Sequence, residues 1–295
     1  MRTPIALAVA FAAISAPLAS TAGAFQALEP SQPDPPGEPR RWRFDAFPTT
    51  DPYPPNTASP HRLTNSVELL SVESVGIEDA GESRFALRLG GRFGLLRLGR
   101  DEHALQLGIE AGFASHFDND VDQDNIGWDG HYGLTLTAGH GETLAWKVGL
   151  FHTSAHVGDE YAERTARGRI GYTREEVLAG LSYRLAPRLR AYFESAYAYE
   201  LRIAIQRPWR VQGGLVFEDA DRFAGGRFGW YAATDVAQWE ERDWRTDWAL
   251  QAGLVYPAGA RAWRLGLTVH DGRPPLGEFF QDTERSVSAG LSIDL

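Results

Sequence analysis

One short stretch, FHTSAHVGDEY at residues 151–161, combines residue types that can do chemistry. Two histidines and a serine recur at every second position, and two carboxylates follow at once: His152, Ser154, His156, Asp159 and Glu160. A serine hydroxyl becomes a nucleophile when an adjacent imidazole accepts its proton. Histidines with carboxylates can instead bind a metal ion or another ligand. The stretch is therefore the candidate functional site, with His152 and Ser154 as its catalytic pair.

The supporting or ligand-binding residues of this candidate site are His156, Asp159 and Glu160, and the nearby carboxylates allow a bound Ca²⁺. No other cofactor is indicated. Side chains four residues apart on a strand lie about 13 Å from each other, at roughly 3.3 Å per residue. His152 and His156 therefore cannot share one metal ion unless the strand bends, and the identity of any metal stays open.

Alternation of residue types places the candidate site at the end of a β-strand, predicted over residues 143–156. Side chains two residues apart on a strand project from the same face. Three apolar residues precede His152 on that face, whereas Lys147 lies on the opposite face. We expect the charged face to line an interior, so that both histidines and Ser154 point outward. A β-bulge near His152 would reverse this assignment.

The same period-two pattern repeats along the rest of the chain. In the segment WRTDWALQAGLVY, one face carries aromatic residues at both ends with aliphatic residues between them, and the other face is polar. That pattern is typical of an outer-membrane strand, whose lipid-facing band lies between aromatic girdles. Twelve such segments are predicted, over residues 64–76, 83–98, 103–116, 128–139, 143–156, 170–185, 188–202, 208–219, 225–239, 243–257, 261–270 and 283–294.

Short and long connections between these segments mostly alternate, as periplasmic turns and extracellular loops do in outer-membrane barrels. The even number of strands fits the same class. We therefore predict an all-β fold, a transmembrane antiparallel β-barrel of about twelve strands, with the candidate site at its outer rim. The structural alternative is a soluble antiparallel barrel or sandwich, in which the apolar faces would pack inward.

The N-terminus predicts export. A positive charge at Arg2, a short apolar run and the small-residue sequence Ala22-Gly23-Ala24 are typical of a secretory signal peptide over residues 1–24. Residues 25–62 are rich in proline and are predicted to form an extended periplasmic segment. Residues 63–295 form the predicted barrel. The expected location is the bacterial outer membrane.

The composition restricts the kinds of molecule that this protein is expected to bind. The formal net charge of −10 argues against nucleic acid, because binding phosphates needs a basic surface. The absence of cysteine excludes a disulfide framework and a thiolate metal site. An outer-membrane barrel is expected to contact membrane lipids and lipopolysaccharide, and to be inserted by the barrel-assembly machinery. The oligomeric state is left open.

Charged residues of both signs lie on the faces predicted to point inward, among them Arg88, Glu110, Lys147 and Glu194. A twelve-stranded barrel is too narrow for a wide aqueous pore unless the interior side chains leave the centre of the lumen free. Paired acids and bases cost less to bury than single charges, so they favour a cross-linked interior. The sequence thus predicts a narrow or plugged barrel and leaves a small-solute channel open.

Four stretches resemble the uncharacterised bacterial outer-membrane barrel family labelled domain of unknown function 1207: HYGLTLT (131–137), KVGLFHTSAHVGDEY (147–161), RIGYTREEVLAGLSYRL (169–185) and DGRPPLGEFFQDTERSVSAGLSIDL (271–295). The family pattern is similar to His-x-Ser-Ser-His-x-Gly-Asp-Glu, and Ala155 replaces the second serine in this chain. The resemblance implies the barrel fold and does not imply a reaction.

Locally, the outward-facing His-x-Ser resembles outer-membrane phospholipase A, a twelve-stranded barrel with a His-x-Ser-Asn-Gly pattern in which an asparagine orients the histidine. The resemblance implies a serine lipid hydrolase with His152 as the base and Ser154 as the nucleophile. Ala155 and His156 occupy the positions of the Asn and Gly, and no asparagine follows His152 in the chain. His156, Asp159 or Glu160 would have to orient the imidazole instead.

Three interpretations of the rim residues stay open. They form a structural rim of hydrogen-bonded polar side chains, the active site of a lipid hydrolase, or a metal or ligand site. The missing orienting asparagine favours a non-catalytic barrel with a structural, surface or small-solute channel role. A phospholipase-like hydrolase is the alternative.

Overall fold

The structure is a computed structural model, and it describes residues 42–100, 102–258 and 261–294. The predicted signal peptide over residues 1–24 lies outside the described residues, as does the first part of the proline-rich segment, up to residue 41. Among the residues described, no helix is both long enough and apolar enough to cross a membrane.

The described chain contains thirteen strands, one α-helix and two short 3₁₀ helices, Glu240–Arg242 and Gly277–Phe279. The strands are β1 Arg43–Ala46, β2 Asn65–Ser74, β3 Ser83–Arg100, β4 His103–Asp118, β5 Asp124–His140, β6 Leu144–Val157, β7 Thr173–Ala186, β8 Leu189–Leu201, β9 Trp209–Phe223, β10 Phe228–Trp239, β11 Thr246–Ala258, β12 Arg261–Gly272 and β13 Glu284–Asp294. The helix, α1 Asp159–Thr165, lies between β6 and β7. Each of the twelve predicted segments corresponds to one strand from β2 to β13.

Strands β2 to β13 form a closed barrel. Each strand pairs antiparallel with the next one along the chain, and β13 pairs with β2 to close the ring, with Leu291 opposite Val67. The predicted twelve-stranded antiparallel barrel is therefore confirmed. Closure gives every one of these strands two hydrogen-bonded neighbours, which strands that cross hydrocarbon require.

The two faces of the barrel wall have the polarity expected in a membrane. On β11, Leu250 and Leu254 are exposed on the outer surface, at 48% and 49%, whereas Asp247 is buried on the inner face. Large aromatic side chains such as Trp230 and Tyr256 are also exposed on the outer surface. The soluble alternative, with apolar faces packed inward, is wrong, because the outer surface is apolar and the inner surface is charged.

The two ends of the barrel differ. The connections β3–β4, β5–β6, β7–β8, β9–β10 and β11–β12 are short turns at the end where β2 begins and β13 ends. The longer connections lie at the opposite end, which we call the long-loop end. There, side chains from the connections and from the adjoining strands pack into a small apolar core, formed by Ile77, Ile126, Val157, Tyr161, Leu276 and Phe279. The loops at this end thus form a packed cap.

The proline-rich segment is predicted to be extended and periplasmic over residues 25–62, and its described part begins with a strand and then enters the barrel. Strand β1 pairs with β3 beyond the start of β2, with Phe44 opposite Leu98. The chain then turns at Phe47, whose φ is 54°. Residues 48–64, which we call the lumenal segment, continue into the interior of the barrel.

Interior side chains hold the lumenal segment largely through its carbonyl groups. Arg92 donates a hydrogen bond to the Tyr53 carbonyl, and Arg190 donates one to the carbonyl of Pro55. Gln212 donates to the Ser59 hydroxyl at 2.7 Å. Proline has no N–H group that needs a partner but keeps its carbonyl acceptor. A proline-rich segment can therefore be buried among arginine donors at low cost in unmade hydrogen bonds.

Opposite charges pair across the lumen beside this segment. Lys147 Nζ lies 3.7 Å from Glu110, 3.4 Å from Glu194 and 4.9 Å from the ring centre of Tyr53. Such pairing lowers the cost of burying charged groups. A cavity of about 160 Å³ remains between the lumenal segment and the strands. The described side chains therefore fill most of this part of the lumen.

A second buried cluster lies nearer the long-loop end. The Glu241 side chain is fully buried and accepts hydrogen bonds from Arg273 at 2.8 Å and Tyr172 at 2.9 Å. The Arg273 guanidinium carbon also lies 4.4 Å from a ring centre of Trp239. Burial alone would lower the pKa of Arg273, but Tyr172 and Glu241 raise it, so the guanidinium stays charged. This cluster ties the β10–β11 connection to the loop that follows β12.

The start of α1 provides a stability test. A Cβ atom at Gly158 would lie 1.7 Å from the Asn125 carbonyl oxygen, so Gly158→Ala must push the two segments apart. Overpacking of this kind costs about 1–3 kcal/mol. We expect a lower midpoint of guanidinium unfolding in detergent. The matched control is Gly168→Ala in the same connection, where no atom lies within 4 Å of the added Cβ. Equal midpoints for the two variants would contradict the packing described.

The lumenal segment provides a conductance test. Replacing residues 50–61 by a Gly/Ser sequence of equal length removes Tyr53 and the prolines that fix its path. We expect conductance in planar bilayers above the wild-type level, because a flexible segment leaves the lumen part of the time. Trp42→Ala with Phe44→Ala is the control, since both side chains are exposed on or beside β1. A replacement variant no more conductive than wild type would show that this segment does not close the lumen.

Candidate functional site

Strand β6 carries the candidate site without irregularity. Its pairing with β5 and β7 runs in continuous register, with His152 opposite Tyr132 on β5 and opposite Glu175 on β7. No bulge reverses the alternation, so the side chain of Lys147 is buried inside and the rim residues lie on the outer face. These rim residues, all partly buried near the long-loop end, are His152, Ser154 and His156.

Two neighbouring strands fix the ring of His152. Its Nδ1 is hydrogen-bonded to the carboxylate of Glu175 on β7. Its ring stacks on Tyr132 of β5, with centroids 4.7 Å apart and planes inclined by 29°. An ionised carboxylate can only accept this bond, so the neutral imidazole carries its hydrogen on Nδ1 and leaves Nε2 to accept a proton. His152 is thus oriented as a general base requires.

Glu175 is the residue of the candidate site that the sequence analysis missed. The residues proposed to orient the histidine are His156, Asp159 and Glu160, whereas the structure places Glu175 in that position. The sequence contained a signal for this residue. Val177 lies on the outward face of β7, and Glu175, two residues before it, must lie on the same face. An acidic residue on an otherwise apolar face is the anomaly that could have revealed it.

Ser154 lies on the same outer face, one rung nearer the long loops than His152. It is opposite Gly130 on β5, and its Oγ lies 3.6 Å from where a Cβ of Gly130 would be. Among the described residues, no hydrogen bond joins Ser154 to His152. Residues two apart on a strand are separated by about 7 Å, so a contact with the fixed ring of His152 requires rotation of the Ser154 side chain. Catalytic hydrogen bonds often form only when substrate is bound.

The other predicted site residues have different surroundings. The ring of His156 stacks on that of Trp128, with centroids 4.0 Å apart. The centroid of the Trp128 ring lies 5.6 Å from that of Phe113. Asp159 and Glu160 begin helix α1, where Asp159 forms an ion pair with Arg169. In the part of the chain that the structure describes, no hydrogen bond or ion pair joins either acid to the catalytic pair.

Two of the carboxylates that could bind a metal ion already have side-chain partners. Glu175 is bound to His152, and Asp159 is paired with Arg169. Within residues 42–100, 102–258 and 261–294, no group of three or more histidine, aspartate or glutamate side chains could hold a metal ion. We therefore assign no residue to Ca²⁺.

Comparison with known protein families matches residues 44–294 to the family described as "Protein of unknown function (DUF1207)". The chain belongs to this family. The DUF1207 match begins within β1 and covers the lumenal segment as well as every strand of the barrel. Among curated proteins, no relative of this DUF1207 protein is found.

Solved structures resemble this DUF1207 barrel. Outer membrane phospholipase A from Escherichia coli has a TM-score of 0.57 and 14% identity, over 78% of this chain and 92% of that chain. The outer membrane phospholipase dimer from Salmonella typhi with bound calcium has a TM-score of 0.54 and 14% identity, over 78% of this chain and 90% of that chain. At such low identity the likeness shows the fold alone.

The hydrogen bond between His152 and Glu175 can be tested without any assay of activity. In wild type we expect the Nδ1–H tautomer of His152, because the tautomer follows the partner of each ring nitrogen. Glu175→Ala should shift the population toward the Nε2–H form. ¹⁵N chemical shifts in lipid nanodiscs report the tautomer, and the His152→Ala spectrum assigns the signal. Glu200→Ala is the control, since Glu200 lies opposite Glu175 on β8. A tautomer unchanged by Glu175→Ala would contradict the contact.

Proposed function

We propose that this DUF1207 protein is an outer-membrane hydrolase of lipid esters. Ser154 is the nucleophile, His152 is the general base, and Glu175 is a positioning residue that acts through His152. The observation that supports this most directly is the hydrogen bond from His152 Nδ1 to the Glu175 carboxylate on the outer face. A carboxylate that orients an imidazole beside a serine is the arrangement that activates a serine hydroxyl.

The location of these residues favours a lipid substrate. The outer face of the barrel is apolar, and the site lies on that face toward the long-loop end. In an outer membrane, with residues 1–24 acting as the export signal, this end would face outward. Lipids and lipopolysaccharide of the outer leaflet would then reach Ser154 directly, without passing through the lumen.

The proposed reaction balances with these residues and water. Ser154 Oγ bonds to the ester carbonyl carbon while its proton moves to Nε2 of His152. The tetrahedral intermediate collapses, the alcohol leaves with that proton, and an acyl group stays on Ser154. Water then attacks the acyl carbonyl carbon and gives a proton to His152. Collapse releases the fatty acid and returns the proton to the serine oxygen.

Glu175 contributes in both halves of this cycle. Each time His152 takes a proton it becomes an imidazolium, and the adjacent carboxylate stabilises that cation. The bond to Nδ1 also leaves Nε2 as the ring nitrogen that takes the proton of Ser154. Tyr132, stacked on the other side of the ring, restricts it further.

The non-catalytic roles explain fewer observations. A small-solute channel needs an open lumen, but residues 48–64 and the paired charges around Lys147 occupy much of it. An ion pair on the outer face is not by itself evidence of catalysis, because Asp271 and Arg285 also pair there. A purely structural barrel gives no reason for a carboxylate that orients a histidine two residues from a serine on the same face. Insertion by the barrel-assembly machinery follows from the fold under any of these roles.

Hydrolysis of phospholipid by refolded protein in detergent, with and without Ca²⁺, tests the proposal. Ser154→Ala and His152→Ala are expected to lower kcat by about 10³-fold or more. Glu175→Ala should lower it by about 10²–10⁴-fold, because the imidazole loses its orientation. The matched control is Glu200→Ala, which removes an acid from the neighbouring strand. Wild type no more active than Ser154→Ala, at any calcium concentration, would refute the proposed activity.

A further inference from the structure

The outer surface beside Ser154 has a gap in its row of side chains. On β5 and β6, three successive outward rungs pair Trp128 with His156, Gly130 with Ser154, and Tyr132 with His152. The first and third rungs are stacked ring pairs, with centroids 4.0 Å and 4.7 Å apart. The middle rung has no side chain on the β5 side.

We propose that this gap at Gly130 is the groove that receives the acyl chain of a long-chain lipid ester. The inference rests on the proposed hydrolase function and extends it to the substrate class and its orientation. The groove starts at Ser154, crosses Gly130 and ends at β4.

Aromatic side chains form the walls of this groove. Trp128 lies on one side of Gly130, where its ring would be 3.9 Å from an added Cβ, and Tyr132 lies on the other. Phe113 is the residue opposite Gly130 on β4, and its ring is 5.6 Å from that of Trp128. Tyr132 and Phe113 are exposed, at 56% and 38%. A groove with apolar walls that opens to the lipid favours an alkyl chain over a polar group.

The opposite side of Ser154 is polar. Its partner on β7 is Thr173, and Glu175 is the next outward residue along that strand. An ester bound at Ser154 therefore has apolar surface toward β4 and hydrogen-bonding groups toward β7. The acyl chain lies over Gly130, and the alcohol that carries the head group leaves on the β7 side.

Gly130 can be substituted without disturbing the barrel. An added Cβ meets nothing closer than 3.6 Å, which is ordinary van der Waals contact, and the glycine has no positive φ. By contrast, Gly133 on the same strand would place a Cβ 2.3 Å from the Leu150 carbonyl oxygen. The absence of a side chain at position 130 is thus not required by the backbone, whereas an open groove does require it.

The experiment compares p-nitrophenyl palmitate with p-nitrophenyl butyrate. Gly130→Val is expected to lower the ratio of kcat/KM for palmitate over butyrate by about 10-fold or more, because a filled groove excludes the long chain. Gly130→Ala should give a smaller change of the same sign. Ala252→Val, an outward substitution on distant β11, should leave the ratio at the wild-type value. Heat-dependent gel mobility of each variant verifies folding.

A second measurement does not depend on activity. A photoactivatable long-chain acyl ester is expected to crosslink to β4 and β5 of the Ser154→Ala variant, and to do so much less when Gly130→Val is added. An inactive wild type with Gly130-dependent crosslinking would refute the hydrolase and retain the acyl groove. An active wild type whose selectivity and crosslinking are both unaffected by Gly130→Val would refute the groove and retain the hydrolase.

Discussion

The pairing of β13 with β2 is the interaction on which the rest of the structure depends. It closes the ring, so that the backbone N–H and C=O groups along each strand find partners in the wall. Closure also gives each strand one face toward a confined interior and one toward the surroundings. The period-two alternation of the sequence then decides which residues go where. Lys147 and Leu150, three positions apart on β6, consequently face opposite environments.

A closed ring of this size creates a second requirement, since many charged side chains are buried in its interior and need partners. Pairs such as Lys147 with Glu194 satisfy part of that requirement. Arginines such as Arg92 and Arg190 find acceptors in the carbonyl groups of the lumenal segment. The N-terminal chain thus supplies hydrogen-bond acceptors to part of the interior. The proposed site does not depend on the interior, because His152 and Ser154 lie on the outer face.

The alternation of residue types is local, and for that reason the strands and their faces could be predicted from the sequence. It predicted the outward direction of Ser154 through the inward direction of Lys147. Cross-strand neighbours are different, because they depend on the stagger between strands, which alternation leaves undetermined. Glu175 and His152 are 23 positions apart and meet only in the observed register of β6 and β7. The path of the lumenal segment could not be predicted from the sequence either, because a high proline content indicates an extended chain and does not indicate which residues surround it.

The depth of the site in the membrane explains how such a polar pair can stand on a lipid-facing surface. A charged side chain on the outer face of a barrel costs about 2–4 kcal/mol for a cation at the midplane, less for an acid, and about 0–1 kcal/mol near the interface. Glu175 lies two residues after the start of β7, and His152 lies five residues before the end of β6, so both are near the long-loop end. Pairing and partial burial reduce the cost further, since both side chains are about three-quarters covered. The ester bonds of membrane lipids lie at the same interfacial depth, between head group and acyl chain. The region where this barrel can carry a carboxylate and an imidazole on its outer face is therefore also the region where an ester can reach them.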